Sequence, residues 1–255
     1  MKNITQSLVK DLEKYNDKKI CGLQIKAKYY DDIEFPTSDA QLLGQWFEFK
    51  ATGQKNRAGE EPIPPKLKNG NLPKKYKDIL EHIEPFKIML EKNHWEIIDT
   101  GKRLIHRGLQ GDVDLVLRDD KGKIVFADLK TTGLINDKWN EFGWEEDSLQ
   151  FKHNLMIQAI HYKLLGTLEY GYEPDFYFLI FSNTNIIDRK IYKITLNDTR
   201  IEEHINFLYK IKKIKADAEQ NGWKAYPDPK NCSNCPVSKD CLHFTNIPQI
   251  KEIYY

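Results

Sequence analysis

Long apolar runs are missing from this chain of 255 residues. No stretch is long enough to cross a membrane as a helix, and Met1 to Lys10 lacks the apolar core of a secretory leader, so neither membrane anchoring nor export is expected. Net charge is missing too, with 39 basic residues against 38 acidic ones. That balance excludes broad, non-specific attraction to a polyanion, and any nucleic acid has to be held by local patches. There is no internal repeat and no low-complexity tract, which leaves a globular chain long enough to bury a substantial core. Cysteine is scarce, at four residues. A reducing cytosol is the expected compartment, and disulfides are a poor use for thiols there.

Three of those cysteines nevertheless lie close together. Cys232, Cys235 and Cys241 form C-x2-C-x5-C in a stretch rich in Pro, Asn, Ser and Asp, while Cys21 stands near the opposite end. Four thiolates suit one tetrahedral zinc or one cubane iron–sulfur cluster. Zinc sites more often pair two C-x2-C hooks, and only one is present; His243 is an alternative fourth ligand. A three-plus-one site would clip residue 21 to residue 232 and, on the loop-closure model, stabilise the fold by up to roughly 5 kcal/mol.

The most informative stretch runs from Gly111 to Lys130. Val113, Leu115 and Leu117 alternate with Asp112, Asp114 and Val116; Val125, Ala127 and Leu129 alternate with Ile124, Phe126, Asp128 and Lys130. Both runs have the period of two expected of strands. Between them, Asp120-Lys121-Gly122 fits a three-residue hairpin loop ending in a left-handed glycine. This register pairs Asp119 with Lys123 and sets Asp114 opposite Asp128 on one sheet face. Facing carboxylates have Cβ atoms roughly 5 Å apart and repel, unless a cation lies between them. Oxygen ligands of this kind suit Mg²⁺ or Mn²⁺. Lys130 projects from the same face, where it can hold an attacking water or neutralise charge on a phosphate, and the implied chemistry is metal-assisted phosphodiester hydrolysis. Asp-x-Lys alone proves little, since it occurs five times in the chain. The strand setting and the partner Asp114 set this copy apart; the alternative is an ordinary amphipathic hairpin with a polar face.

Around the hairpin, Ser38 and Gln41 form a candidate capping box for a helix that puts Gly44 and Glu48 one turn apart on one face. Thr52 to Lys77 then mixes Lys55, Arg57, Lys66, Lys68, Lys74, Lys75 and Lys77 with Pro and Gly. It reads as a basic loop, either a phosphate-contacting lid or a solvated surface. A helix is expected over about 76–92 and a strand over 94–104. A loop over 134–148 carries Trp139, Phe142 and Trp144, which can stack on unpaired bases or cover a core edge. Residues 149–168 read as a helix with Gln158 and Tyr162 on one stripe, 176–181 and 186–196 as strands, and 198–221 as a long amphipathic helix.

In order and spacing, these elements resemble the iron–sulfur branch of the PD-(D/E)xK nuclease superfamily, which includes RecB-type and AddB nuclease domains and CRISPR-associated exonucleases. The matching residues are Cys21, then Asp114 of Gly111-Asp112-Val113-Asp114, then Asp128-Leu129-Lys130. Gln158-Ala159-Ile160-His161-Tyr162 and the three late cysteines complete the pattern. The resemblance implies an α/β fold with a restriction-endonuclease-like core, a central mixed β-sheet flanked by helices and a C-terminal cysteine segment. It implies one domain over 1–255, with a basic insertion at about 52–77 and a cluster-binding segment at about 222–245.

The resemblance also implies roles. Asp114, Asp128 and the Leu129 carbonyl would hold Mg²⁺ or Mn²⁺, Lys130 would be the catalytic lysine, and Gln158 and Tyr162 would act near the scissile strand. Cys21, Cys232, Cys235 and Cys241 would hold a 4Fe-4S cluster, with zinc as the alternative. RecB-type members carry histidine where this chain has Glu48; a carboxylate is the harder ligand for Mg²⁺, and Glu48 is the expected third metal ligand unless it is a solvated helix residue. The implied substrate is DNA with a single-stranded or free end, cut by an exonuclease more readily than by an endonuclease. The implied setting is recombination, repair, phage replication or spacer processing, with a helicase, recombinase or integrase as partner. The competing expectations are a non-catalytic nucleic-acid-binding module and a zinc-stabilised endonuclease.

Overall fold

The computed structural model describes residues 2–227 apart from 57, 141, 150 and 151, together with 232, 235–238 and 241. In chain order the elements are β1 (Ile4–Thr5), α1 (Gln6–Asn16), α2 (Gly22–Tyr29), α3 (Asp39–Thr52) and α4 (Lys74–Asp78), followed by a 3-10 turn at Ile79–His82. There follow α5 (Ile83–Lys92), β2 (Glu96–His106), β3 (Leu109–Arg118), β4 (Ile124–Thr132), α6 (Glu146–Leu149) and α7 (His153–Tyr170). The last are β5 (Asp175–Ser182), β6 (Arg189–Ile194) and α8 (Asp198–Asn221). The architecture is the expected mixed α/β. The chain divides into two compact units, one within Met1–Pro36 and Glu202–Tyr255, the other Thr37–Ile201.

In the first unit, Thr5 caps α1 by accepting from the Leu8 N–H at 3.1 Å, and Leu8, Val9, Leu12 and Tyr15 form its buried stripe. The Tyr15 ring meets Trp223 and Tyr226 at centroid distances of 5.7 and 5.5 Å. Gly22, the residue after Cys21, donates its N–H to the Lys224 carbonyl at 2.9 Å. A Cβ there would stand 2.5 Å from that same oxygen, so the approach requires glycine.

In the second unit five strands pair in the order β2-β3-β4-β5-β6, with β4 and β5 parallel and the other pairs antiparallel. The Asp120–Gly122 loop closes as the sequence implies. Gly122 has φ +76°, its N–H reaches the Asp119 carbonyl at 3.0 Å, and the Asp119 carboxylate accepts from the Lys121 and Lys123 amides at 3.0 and 2.7 Å. Leu115, Leu117, Val125 and Ala127 then turn to one face and join Leu43 and Phe47 of α3 and Phe86 and Met89 of α5 in the core. Phe126 and Asp128 turn to the other face, toward α7.

The antiparallel ladder between β3 and β4 ends at Leu115↔Ala127. Beyond it β3 stays paired with β2 down to Leu109, and β4 stays paired with β5 up to Thr132. The sheet therefore forks, and Asp114 and Asp128 occupy the first position past the fork.

Several boundaries differ from the sequence reading. The helix expected over 76–92 is broken into α4, the 3-10 turn and α5. Pro85 has no N–H to give to residue 81 and its ring clashes with that carbonyl, so the chain tightens just before it. The strand after it runs two residues later than expected. His94 leaves the helix at φ +54°, and a two-residue turn at Arg107 (φ +49°) and Gly108 (φ +77°) carries β2 on to His106. The last helix of this unit begins at His153, not Leu149, and continues to Tyr170, where Gly171 stops it at φ +78°. Of the three loop aromatics, Trp144 is core, with its ring 5.1 Å from that of Phe178, whereas Trp139 and Phe142 are exposed.

Two glycines of the sequence pattern carry different loads. A Cβ on Gly44 would meet Thr131 Oγ1 at 3.5 Å, an ordinary contact. A Cβ on Gly111 would fall 2.6 Å from the Tyr162 ring and 2.8 Å from Leu165. Gly111→Ala is therefore expected to destabilise the protein by about 1–3 kcal/mol in urea denaturation, while Gly44→Ala is neutral or stabilises by up to about 1 kcal/mol through helix propensity. Equal effects of the two would contradict this packing.

Candidate active site

The fork gathers its groups from four elements. Asp114 comes from β3, Asp128, Leu129 and Lys130 from β4, Glu48 from α3 and Gln158 from α7, all within the second unit. Strand alternation alone turns Asp128 and Lys130 toward α7. The capping box closes as expected, Gln41 N–H donating to Ser38 Oγ at 3.2 Å and Ser38 N–H to Gln41 Oε1 at 2.8 Å. It fixes the phase of α3, and Glu48 follows two and a half turns later.

Where the ladder stops, side chains replace it. Leu129 donates its N–H to Asp114 Oδ2 at 3.2 Å, in place of a bond to the β3 backbone. In an extended strand a residue's N–H and C=O point to the same edge, so the Leu129 carbonyl also faces the fork. Asp128 is buried; its Oδ1 accepts from Gln158 Nε2, and its Oδ2 forms an ion pair with Lys130 but has no partner aligned for a hydrogen bond. Glu48 Oε1 is likewise sealed from solvent without a hydrogen-bond partner. Lys130 keeps 29 % of its side-chain surface exposed, so the site is not fully closed to solvent.

Crowding these charges shifts their protonation. Burial, reinforced by Asp128, pushes the Glu48 carboxyl up to about 7. Burial does the same to Asp114, reinforced by Asp128 and Glu48, and holds it well above the usual carboxylate range. For Lys130, burial works against the charge, but Asp128, Asp114 and Glu48 together outweigh it and keep the ammonium above its ordinary value. Through these mutual charge effects Glu48, Asp114, Asp128 and Lys130 act as one electrostatic group.

Tyr162 is buried and donates its hydroxyl to the Asp112 carbonyl at 2.7 Å, with its ring against Gly111. It braces β3 just below Asp114. Two further braces escaped the sequence reading. His161 Nε2 lies 3.0 Å from the Gln110 carbonyl, and Arg103 Nε donates to Asp112 Oδ1 at 2.8 Å. His161 sits three residues from Gln158 and so shares its helix face, which was the available signal. Of the basic stretch before α5, Lys55, Lys66, Lys68 and Lys77 are exposed and without an ion pair among the described residues. Lys74 and Lys75 pair with Asp78 and Asp39, and Arg57 lies outside the described residues.

The donor set at the fork is all oxygen, which suits a hard divalent cation, and two of its buried oxygens lack hydrogen-bond partners. Among the described residues, however, no three His, Cys, Asp or Glu side chains close into a ready-made ligand cage, and at the fork Lys130 offsets the charge on Asp128. The same holds for the thiols. All four are free and fall in the first unit, with Cys21 and Cys232 buried, and the Cys235 N–H bonds the Cys232 carbonyl at 3.1 Å. Their chemistry suits a soft metal or cluster, and among the described residues no three of them form a ready-made site. His243 lies outside the described residues.

No family model and no curated protein sequence matches this chain. Among solved structures, a "putative exonuclease" from Eubacterium rectale superposes with a TM-score of 0.64 at 17 % identity, covering 99 % of this chain and 91 % of that one. The two chains share a fold. A second structure, that of SSO0001, covers 87 % of this chain and 95 % of its own at 12 % identity, with a TM-score of 0.34, too low to establish a common fold. No helix among the described residues is long and apolar enough to cross a membrane.

A raised carboxyl pKa in the folded state means that protonation favours folding. Glu48's contribution is complete below its ordinary value of 4.5 and is lost as pH rises through about 7. In EDTA, Glu48→Gln is therefore expected to be more stable than the wild type at about pH 8, by an amount on the order of 2 kcal/mol, and to match it near pH 4. Urea denaturation across pH measures this. Parallel pH profiles for the two proteins would contradict the placement of Glu48.

Proposed function

We propose that this protein is a divalent-cation-dependent nuclease that hydrolyses phosphodiester bonds in DNA. The observation that carries the reading is the forked end of β3 and β4, where Asp114, Asp128, Glu48 and the Leu129 carbonyl edge stand beside a partly buried lysine. Asp114, Asp128, Glu48 and the Leu129 carbonyl would hold Mg²⁺ or Mn²⁺. Such a cation supplies Lewis acidity to the phosphoryl group and makes water nucleophilic near neutral pH. The fold shared with the Eubacterium rectale protein supports the same reading.

The protein's own groups divide the remaining work. Lys130, paired with Asp128 and partly exposed, would set its ammonium against the charge that builds on the phosphate oxygens. Gln158 fixes the Asp128 carboxylate by donating to Oδ1, leaving Oδ2 to face Lys130. Tyr162 is a positioning residue that holds the β3 backbone through Asp112. Glu48, pushed up to about 7 by burial and Asp128 in the metal-free protein, must lose its proton to hold the cation, so cation affinity should climb as pH rises through that value.

By resemblance the mode is exonucleolytic, on strands with a free or single-stranded end, in concert with a helicase, recombinase or integrase. The four cysteines are proposed to hold a 4Fe-4S cluster that clips the ends of the first unit, with zinc as the alternative. Iron analysis of anaerobically purified protein distinguishes the two, because stoichiometric zinc in colourless protein rules out the cluster.

The direct test is cleavage of end-labelled single-stranded and duplex DNA with Mg²⁺, Mn²⁺ or EDTA. Cleavage is expected only with the cations, and Lys130→Ala and Asp128→Asn are each expected to lower the rate by about 10²-fold or more. Intact DNA binding without cleavage under every condition would mark a binding module instead. Cleavage unaffected by EDTA or by Lys130→Ala would remove the proposed site.

A further inference from the structure

The loop over 133–145 leaves β4 three residues after Lys130 and leads through α6 into α7, which carries Gln158. It displays two large aromatic side chains to solvent, Trp139 at 87 % exposure and Phe142 at 65 %. Exposure on this scale is ordinary for a slack loop, but this loop is braced. The Asp137 carboxylate accepts from the Trp139 and Asn140 amides at 2.7 and 2.9 Å, and the Asn140 side chain accepts from the Phe142 amide at 2.9 Å. Lys152, at the entry to α7, donates its buried ammonium to the carbonyls of Lys138 and Asn140.

The base of the loop is locked as well. A Cβ on Gly143 would fall 1.9 Å from the Asp137 carbonyl oxygen, an approach that only glycine permits. Trp144 anchors the exit in the core and accepts from the Tyr192 hydroxyl at 3.0 Å. One aromatic is thus buried as a foot while two are held outward on a hydrogen-bonded frame. Lys138 adds a cation, with its ammonium 4.9 Å from the Trp139 ring centroid.

Outward aromatic faces on a hydrogen-bonded backbone, beside a cation, match a ligand with flat π-surfaces and anionic linkages. We propose that Trp139 and Phe142 form a stacking platform for unpaired bases of the strand that enters the fork, with Lys138 beside its phosphates; this rests on the nuclease reading above. Bases inside a duplex already stack on each other and offer no free face, so the platform selects an unpaired strand. Two of the four elements that bear the fork's polar groups, β4 and α7, flank the loop in sequence, so a strand held there lies along the chain between Lys130 and Gln158.

Binding by the full chain in EDTA separates this from the chemistry. Fluorescence anisotropy compares a labelled thymidine 20-mer with an abasic strand of the same length. Trp139→Ala/Phe142→Ala is expected to weaken binding of the base-bearing strand by about tenfold or more and to leave binding of the abasic strand unchanged. Trp139→Phe/Phe142→Tyr is expected to recover it. Because both side chains are exposed, neither pair should disturb folding, which circular dichroism checks. Unchanged affinity of the alanine pair for the base-bearing strand would overturn the platform, as would a wild type that binds the two strands equally. If the platform fails but the wild type still cleaves DNA with Mg²⁺, the platform alone has failed; a wild type that neither binds nor cleaves DNA takes the nuclease reading with it.

Discussion

Three carboxylates are held at the point where β3 and β4 separate, with Asp128 disfavouring charge on both Asp114 and Glu48, and the surrounding structure serves to keep them there. Left to themselves Asp114, Asp128 and Glu48 would move apart or into water, which solvates a carboxylate far better than a protein interior. The sheet register prevents the first, and the packing of α3 and α7 on opposite faces prevents the second. The opposing charge comes from Lys130, which is why an ammonium two residues along the same strand is as much a structural necessity as a chemical one.

The fork converts that tension into a usable geometry. Had β3 and β4 stayed paired past Leu115 and Ala127, the Leu129 backbone would have been spent on the ladder. Instead its N–H goes to the Asp114 side chain and its carbonyl faces the same opening. Sheets that split in this way bare backbone groups next to side chains without losing cooperativity, because each strand keeps a second partner. Here β2 holds β3 and β5 holds β4. The braces from Tyr162, His161 and Arg103 fall on residues 110–112, immediately before Asp114 on the diverging strand. A strand leaving its neighbour needs that support most.

The hairpin register was legible in the sequence because turn chemistry dictates it. Asp119 and Gly122 permit one loop, and that loop sets Asp114 against Asp128. The capping box before Glu48 and the full span of α8 were legible for the same local reasons. The break at Pro85 and the type I′ turn at Arg107-Gly108 were written locally too, and a stricter reading would have found them. The fork itself was not legible. It depends on how far β2 and β5 extend, which is decided by pairing between residues as distant as Lys130 and Ile180. The sealing of Glu48 Oε1 likewise follows from helix packing that no local pattern encodes. The reversal of Trp144 against Trp139 and Phe142 has the same origin, since only the position of Phe178 decides which ring turns inward.

The account stands on the carboxylates sharing one electrostatic neighbourhood, and their individual titrations report this most directly. Carboxyl carbon chemical shifts, followed by NMR across pH in metal-free protein, should place the Glu48 midpoint at about 7, well above the ordinary 4.5. Asp128→Asn should lower that midpoint, since the Asp128 charge is part of its cause, and Mg²⁺ should lower it in the parent protein. A Glu48 that titrates near 4.5, unmoved by either change, would contradict the assembly at the fork and the function built on it.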